Sequence, residues 1–141
     1  MSGKPRPVTN MKETRIMTSF PSWSASAPDL VAVAAGRSAA DLVICGGALV
    51  NVQSREVLEG WEVAIVAGRF AYVGPDASHC VGEQTEVVEA QGRYLIPGLC
   101  DAHMHIESGM LTPAEFAAAV TPHGTTTMFT DPHEIANGDF N

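Results

Sequence analysis

The chain has 141 residues, 45% of them hydrophobic and 17% charged, with a formal net charge of −8. That composition is globular, and an acidic balance without any basic cluster excludes nucleic acid as a partner. No apolar run reaches the ~18 residues of a membrane span, so no membrane partner is expected. Cys45, Cys80 and Cys100 form no C-x-x-C pair, which favours free thiols in a reducing compartment and a cytoplasmic location.

In chain order, residues 1–26 mix Pro, Ser, Thr and charge without periodicity and read as a mobile or loosely docked arm. A short helix is expected from Ser26 to Gly36, with Ser26 as its cap, Pro28 in its first turn and Gly36 as its stop. Strands follow. Asp41–Cys45 and Ala48–Val52 flank Gly46-Gly47, the composition of a hairpin turn. Trp61–Ala67 and Arg69–Val73 form a second hairpin around Gly68. Thr85–Ala90 reads as another strand, and Gln91-Gly92-Arg93 turns into Tyr94-Leu95-Ile96. Short strands with glycine turns predict a small antiparallel sheet or sandwich over residues 27–94. His79 and Cys80 fall in a loop and read as a surface imidazole and an idle thiol.

From Leu95 the alphabet shifts to strand, helix, strand. In Leu99–Glu107 the period-two rule puts Asp101, His103, His105 and Glu107 on one face and Cys100, Ala102, Met104 and Ile106 on the other. An unbroken apolar face opposite two imidazoles and two carboxylates predicts a buried strand with a metal site, the alternative being a solvated strand edge. Histidines two apart on one face, about 6–7 Å apart at the backbone, can converge on one divalent ion. Asp101 lies deeper and is expected to orient a ligand or close a turn. Thr112-Pro113-Ala114-Glu115 is a capping box with proline at the first helical position. Pro122 and Gly124 end that helix, and His123 beside them suits its negative end. Thr125–Thr130 is a second strand, running into Asp131-Pro132-His133-Glu134. A β-α-β crossover of parallel strands would bring both polar clusters to one rim. Asp131, His133 and Glu134 then stand as ligands, groups orienting ligands, or bases, and spacing alone leaves these open. His-Glu-x-x-His is absent, as are the Pro-Cys-x-x-Cys half of zinc nucleobase deaminases and any phosphate-binding glycine loop.

Pro97-Gly98-Leu99-Cys100-Asp101-Ala102-His103-Met104-His105, following a β-rich segment, resembles the amidohydrolase superfamily. The continuation Ile106-Glu107-Ser108, Thr112-Pro113, Phe116 and Asp131-Pro132-His133-Glu134-Ile135-Ala136-Asn137, with Ala35–Ile44 upstream, resembles the bacterial adenine deaminase family within it. Gly109 departs from that family, which usually has a second serine there. The resemblance implies a (β/α)₈ barrel and hydrolysis of adenine to hypoxanthine and ammonia by metal-activated hydroxide. It implies a binuclear centre of Mn2+ or Fe2+, with Zn2+ as a further candidate. By the same resemblance His103 and His105 are metal ligands, while Glu107, Asp131, His133 and Glu134 are catalytic candidates. The substrate partner is adenine, and the full-length protein is expected to be a homo-oligomer.

The fold class expected is therefore α/β: a β-rich N-terminal part, then the start of a TIM-type barrel over residues 95–141. A complete barrel takes about 250 residues, so two strands of eight predict a truncated domain, inactive by itself. Two other readings stay open. One is another cyclic amidohydrolase of dihydroorotase or hydantoinase type; the other is a non-catalytic remnant.

Overall fold

The computed structural model describes residues 21–133. These fall into two compact units whose segments alternate along the chain. One holds the described residues up to Gly46 together with Gly60–Glu89; the other holds Gly47–Glu59 and the described residues from Ala90 onward.

The first unit opens with helix α1, Trp23–Ala34. Its cap is Ser22, whose Oγ accepts from the Ala25 amide at 3.3 Å. The helix thus begins a turn before the expected cap, Ser26, and Pro28 lies inside it. Three serines at alternate positions offer equivalent caps, and packing selects the first. Ser26 is instead buried with Leu30 and Val33, a spacing that puts all three on one face. Its hydroxyl donates back to the Ser22 carbonyl at 3.2 Å.

That helix packs on strands β4 (Glu62–Val66) and β5 (Arg69–Gly74), which form the expected hairpin. With β1 (Leu42–Cys45) and β6 (Glu86–Glu89) they make a four-stranded sheet in the order β5-β4-β1-β6. β1 runs antiparallel to β4 and parallel to β6, so the sheet is mixed and not purely antiparallel. Its core gathers Val33, Ala40, Val43, Ala64, Ala77 and Cys80. Cys80 is fully buried there, not an idle surface thiol, and its Sγ donates to the Val33 carbonyl at 3.4 Å. Beside it the His79 ring stacks edge-on against Tyr72, and Nε2 lies 3.2 Å from the Ala34 carbonyl at the end of α1.

In the second unit, β2 (Ala48–Asn51) pairs antiparallel with β3 (Glu56–Glu59) and parallel with β7 (Tyr94–Leu95). The expected β1–β2 hairpin is therefore not formed. The two strands belong to different sheets, and β2 makes its hairpin with a strand the alternation did not mark. Gly47 has another use: a Cβ there would lie 2.7 Å from the Arg93 carbonyl and 2.8 Å from the Ala90 Cβ. Glycine at 47 lets the returning segment pass close by.

Strands β8 (Leu99–Met104) and β9 (Thr125–Thr130) are joined by helix α2 (Pro113–Val120) and run parallel. This is the expected β-α-β crossover. The capping box is complete: Thr112 Oγ1 accepts from the Glu115 amide at 3.3 Å, and Glu115 Oε2 accepts from the Thr112 amide at 2.9 Å. A 3-10 turn, Thr121–His123, follows and stops at Gly124 with φ 97°, a left-handed cap that suits glycine. The strand Leu99–Met104 is not buried as expected: Cys100 and Ala102 are exposed, and of the expected apolar face only Ile106, beyond the strand, is buried. Leu99 and Phe129 likewise lie open on this two-stranded sheet.

Candidate metal centre

The crossover decides what meets at its rim. The Asp131 amide donates to the Met104 carbonyl at 3.1 Å, fixing the end of β9 against the end of β8. His103, still on the strand, and His105, just past it, then face Asp131. Ligand-capable atoms of His103, His105 and Asp131 all lie within 4.8 Å of one another. His103 Nε2 and His105 Nε2 are 2.9 Å apart, and the two rings meet edge-on at 4.7 Å between centroids. Asp101 has the turn-closing role of its two expected ones: its Oδ1 accepts from the His103 amide at 3.1 Å.

His133 joins from the far side. Its ring stands 4.7 Å from that of His105, and its Nδ1 is 3.2 Å from Asp131 Oδ2. Both partners are more than half exposed, so this ion pair is worth little by itself. Its use is directional, because it fixes which imidazole edge faces the carboxylate.

Glu107 departs from the expected strand face. The chain turns helical at Ile106 (φ −62°, ψ −39°), and Glu107–Gly109 form a 3-10 turn. Period-two alternation stops at Met104, so Glu107 reaches His105 from a turn, with its Oε1 3.8 Å from His105 Nδ1. Its side chain is only 7% exposed, and neither of these two buried atoms has a hydrogen-bond partner. Glu134 lies outside the described residues, as do residues 1–20.

These groups fit a divalent cation. Two imidazole nitrogens are already convergent, and a carboxylate completes an N,N,O donor set suited to Zn, Fe or Mn. An orphaned pair of buried polar atoms costs about 1–3 kcal/mol per group when left unmatched. Such a cost is tolerated where it orients a ligand.

Comparison with known proteins bears on the same residues. Residues 94–139 match the model of the Amidohydrolase family. That stretch is similar to an amidohydrolase segment. It is 73% identical over 120 residues to "Adenine deaminase 1" of Jannaschia sp. (strain CCS1), covering 85% of this chain and 20% of that protein. It is 51% identical over 117 residues to "Adenine deaminase" of Clostridium botulinum (strain ATCC 19397 / Type A), covering 83% of this chain and 19% of that protein. The chain thus spans about one fifth of the length of the curated relatives it matches. Among solved structures it is similar to molinate hydrolase, with a TM-score of 0.53 at 23% identity, covering 70% of this chain and 26% of that one. That likeness concerns the fold alone. Amidohydrolases generally use a divalent metal, and the segment from β8 to His133 holds a His-His-Asp group able to bind one. Among the described residues no helix is long and apolar enough to cross a membrane.

Proposed function

We propose that this chain supplies one part of the metal centre of an adenine deaminase, which hydrolyses adenine to hypoxanthine and ammonia. The observation that carries the reading is the convergence of His103 Nε2 and His105 Nε2 at 2.9 Å with the Asp131 carboxylate beside them. The substrate comes from the names of the relatives, which are 73% and 51% identical to this chain over 120 and 117 residues. In this reading β8 is the first strand of a barrel and β9 the second.

His103 and His105 hold one ion, Mn2+ or Fe2+, of a binuclear centre, and Asp131 is placed to complete the set. The chemistry such an ion supplies is Lewis acidity toward water near neutral pH. The chain's own residues do the rest. His133, held at Nδ1 by Asp131, offers Nε2 to exchange a proton with the departing amine. Glu134 follows it directly and is assigned proton handling from the sequence pattern alone. The working protein is a homo-oligomer in the cytoplasm.

The test uses the natural gene product that carries this sequence, loaded with Mn2+ and given adenine, dihydroorotate or hydantoin. Adenine-dependent ammonia release, abolished in His103→Ala, is the expected result. Hydrolysis of dihydroorotate or hydantoin instead would overturn the substrate and leave a cyclic amidohydrolase. Absence of both turnover and metal uptake would leave a non-catalytic protein.

A further inference from the structure

We propose that Asp101 is a positioning residue, whose carboxylate holds a bulge in β8 that presents His103 to the metal beside His105. The strand register shows the bulge. From Asp101 to Met104 β8 advances three residues while β9 advances two, Met128 to Thr130, so Ala102 and His103 together stand opposite Phe129. Two residues against one defines a bulge, and bulges are rare between parallel strands. Burial follows the same step: Asp101 and Met104 are half-buried, three apart, with Ala102 and His103 exposed between them. Strict alternation would have put Asp101 on the face of the two histidines. Among the described residues the group that converges is His103, His105 and Asp131, without Asp101. Asp101 Oδ1 instead accepts from the His103 amide at 3.1 Å.

That bond is exposed, so water would satisfy the amide equally well, and what the carboxylate adds is direction. Aspartate and asparagine readily close this short ring, from side chain to the amide two residues on. The ring fixes the backbone of the residue that carries the imidazole. A second irregularity cancels the first. From Leu99 to Cys100 β8 advances one residue while β9 advances two, Thr125 to Thr127, which leaves Thr126 extra. Thr126 bears on Gly98, where a Cβ has no room. Between Leu99 and Met104 both strands therefore advance equally, and the Asp131 amide meets the Met104 carbonyl. With the β8 bulge alone, the strand tips would sit one residue, about 3.3 Å, out of step. That is most of the 4.8 Å span within which the three ligand atoms lie.

The bulge stands on the strand register; its effect on metal affinity rests on the metal-centre reading above. The test uses the natural gene product that carries this sequence, stripped of metal, and two readouts. Calorimetric titration with Mn2+ reads affinity, and mass spectrometry reads hydrogen exchange at the His103 amide. Asp101→Ala removes the acceptor, so it should speed exchange and lower Mn2+ affinity about 10–100-fold, the range for groups that orient ligands. Asp101→Asn keeps the accepting oxygen without the charge and should match the wild type in both. Asp101→Glu keeps the charge on a longer arm and should behave like Asp101→Ala. Affinity that follows the charge, kept in Asp101→Glu and lost in Asp101→Asn, would overturn the positioning role. Full affinity in Asp101→Ala would overturn it too. Should Asp101→Ala fail to fold, the asparagine and glutamate variants decide between the same outcomes. A wild type that takes up no Mn2+ overturns the metal-centre reading, and exchange then tests the bulge by itself. Faster exchange in Asp101→Ala and Asp101→Glu than in Asp101→Asn supports it; equal rates in all of them overturn it.

Discussion

The Asp131 amide donates to the Met104 carbonyl at 3.1 Å, so β8 and β9 end in step and their polar tips share one rim. That bond and the parallel pairing of β8 with β9 together bring His105 and Asp131, 26 positions apart in sequence, to one place. The side chains test this arrangement directly. His103→Ala removes a donor nitrogen and should weaken Mn2+ binding more than about 100-fold, beyond the range for groups that only orient ligands. Asp131→Asn keeps an oxygen but loses the charge, and calorimetry should show a smaller loss, about tenfold.

Helix α2 connects the two strands, and its start is held by the Thr112–Glu115 capping box. Thr112→Ala should cost about 1 kcal/mol of stability, read from a denaturant midpoint without change in slope. Glu115, the reciprocal member, is held below the ordinary carboxylate value by the amide and then the hydroxyl of Thr112. A depressed carboxylate contributes stability that is present above its ordinary value, 4.5, and lost as pH falls through its lowered one. Carbon-13 NMR titration should find Glu115 ionising below 4.5, and Thr112→Ala should move it back up.

Gly98, ahead of β8, faces the side chain of Thr126 on β9 so closely that a Cβ would overlap it. Gly98→Ala should therefore push the strands apart and cost about 1–3 kcal/mol, as overpacking does. Hydrogen exchange of the Leu99 amide, which donates to the Gly124 carbonyl at 2.8 Å, should accelerate with it.

Two of the three thiols are held in the neutral form. Burial, then the hydrogen bond and charge of Glu89, push Cys45 up to about 11; burial and then Asp76 raise Cys80. With alkylating reagent at pH 8, mass spectrometry should find exposed Cys100 labelled first. Cys45 should react about a hundredfold more slowly than an ordinary thiol, since only its thiolate attacks. The neutral form of Cys45 contributes stability below the ordinary thiol value, 9.0, and that contribution is lost as pH rises through about 11. Glu89→Gln should recover only part of the rate, because burial is the larger cause.

What could be read from sequence here is what depends on near neighbours. Thr112, Pro113 and Glu115 announce a helix start within four residues, and the β-branched run Thr125–Thr130 announces a strand. The closeness of His103 and His105 was legible for the same reason, as one is on a short strand and the other just past its end. Glu107 was misplaced because alternation says nothing about where a strand stops. Gly46-Gly47 misled because a glycine pair looks alike whether it reverses the chain or lets another backbone pass, and the reason at Gly47 lies near Arg93. Cys80 was misread because its burial comes from α1 and two strands far off in sequence. The serine ladder Ser22, Ser24, Ser26 held three equal caps, and only the packed face of α1 separates them.

The alternation of the two units along the chain has a consequence for synthesis. β1 takes its parallel neighbour from β6, with Leu42 opposite Glu86, and β2 takes its own from β7, with Ala48 opposite Tyr94. Both early strands must therefore wait, each with one side unpaired, until more than forty later residues have left the ribosome. Nor does any single protease cut release either unit whole, since Gly47–Glu59 belongs to one and is flanked on both sides by the other. The strands from β1 to β7 thus close late, whereas β8, α2 and β9 follow one another without interruption and can close as soon as they emerge.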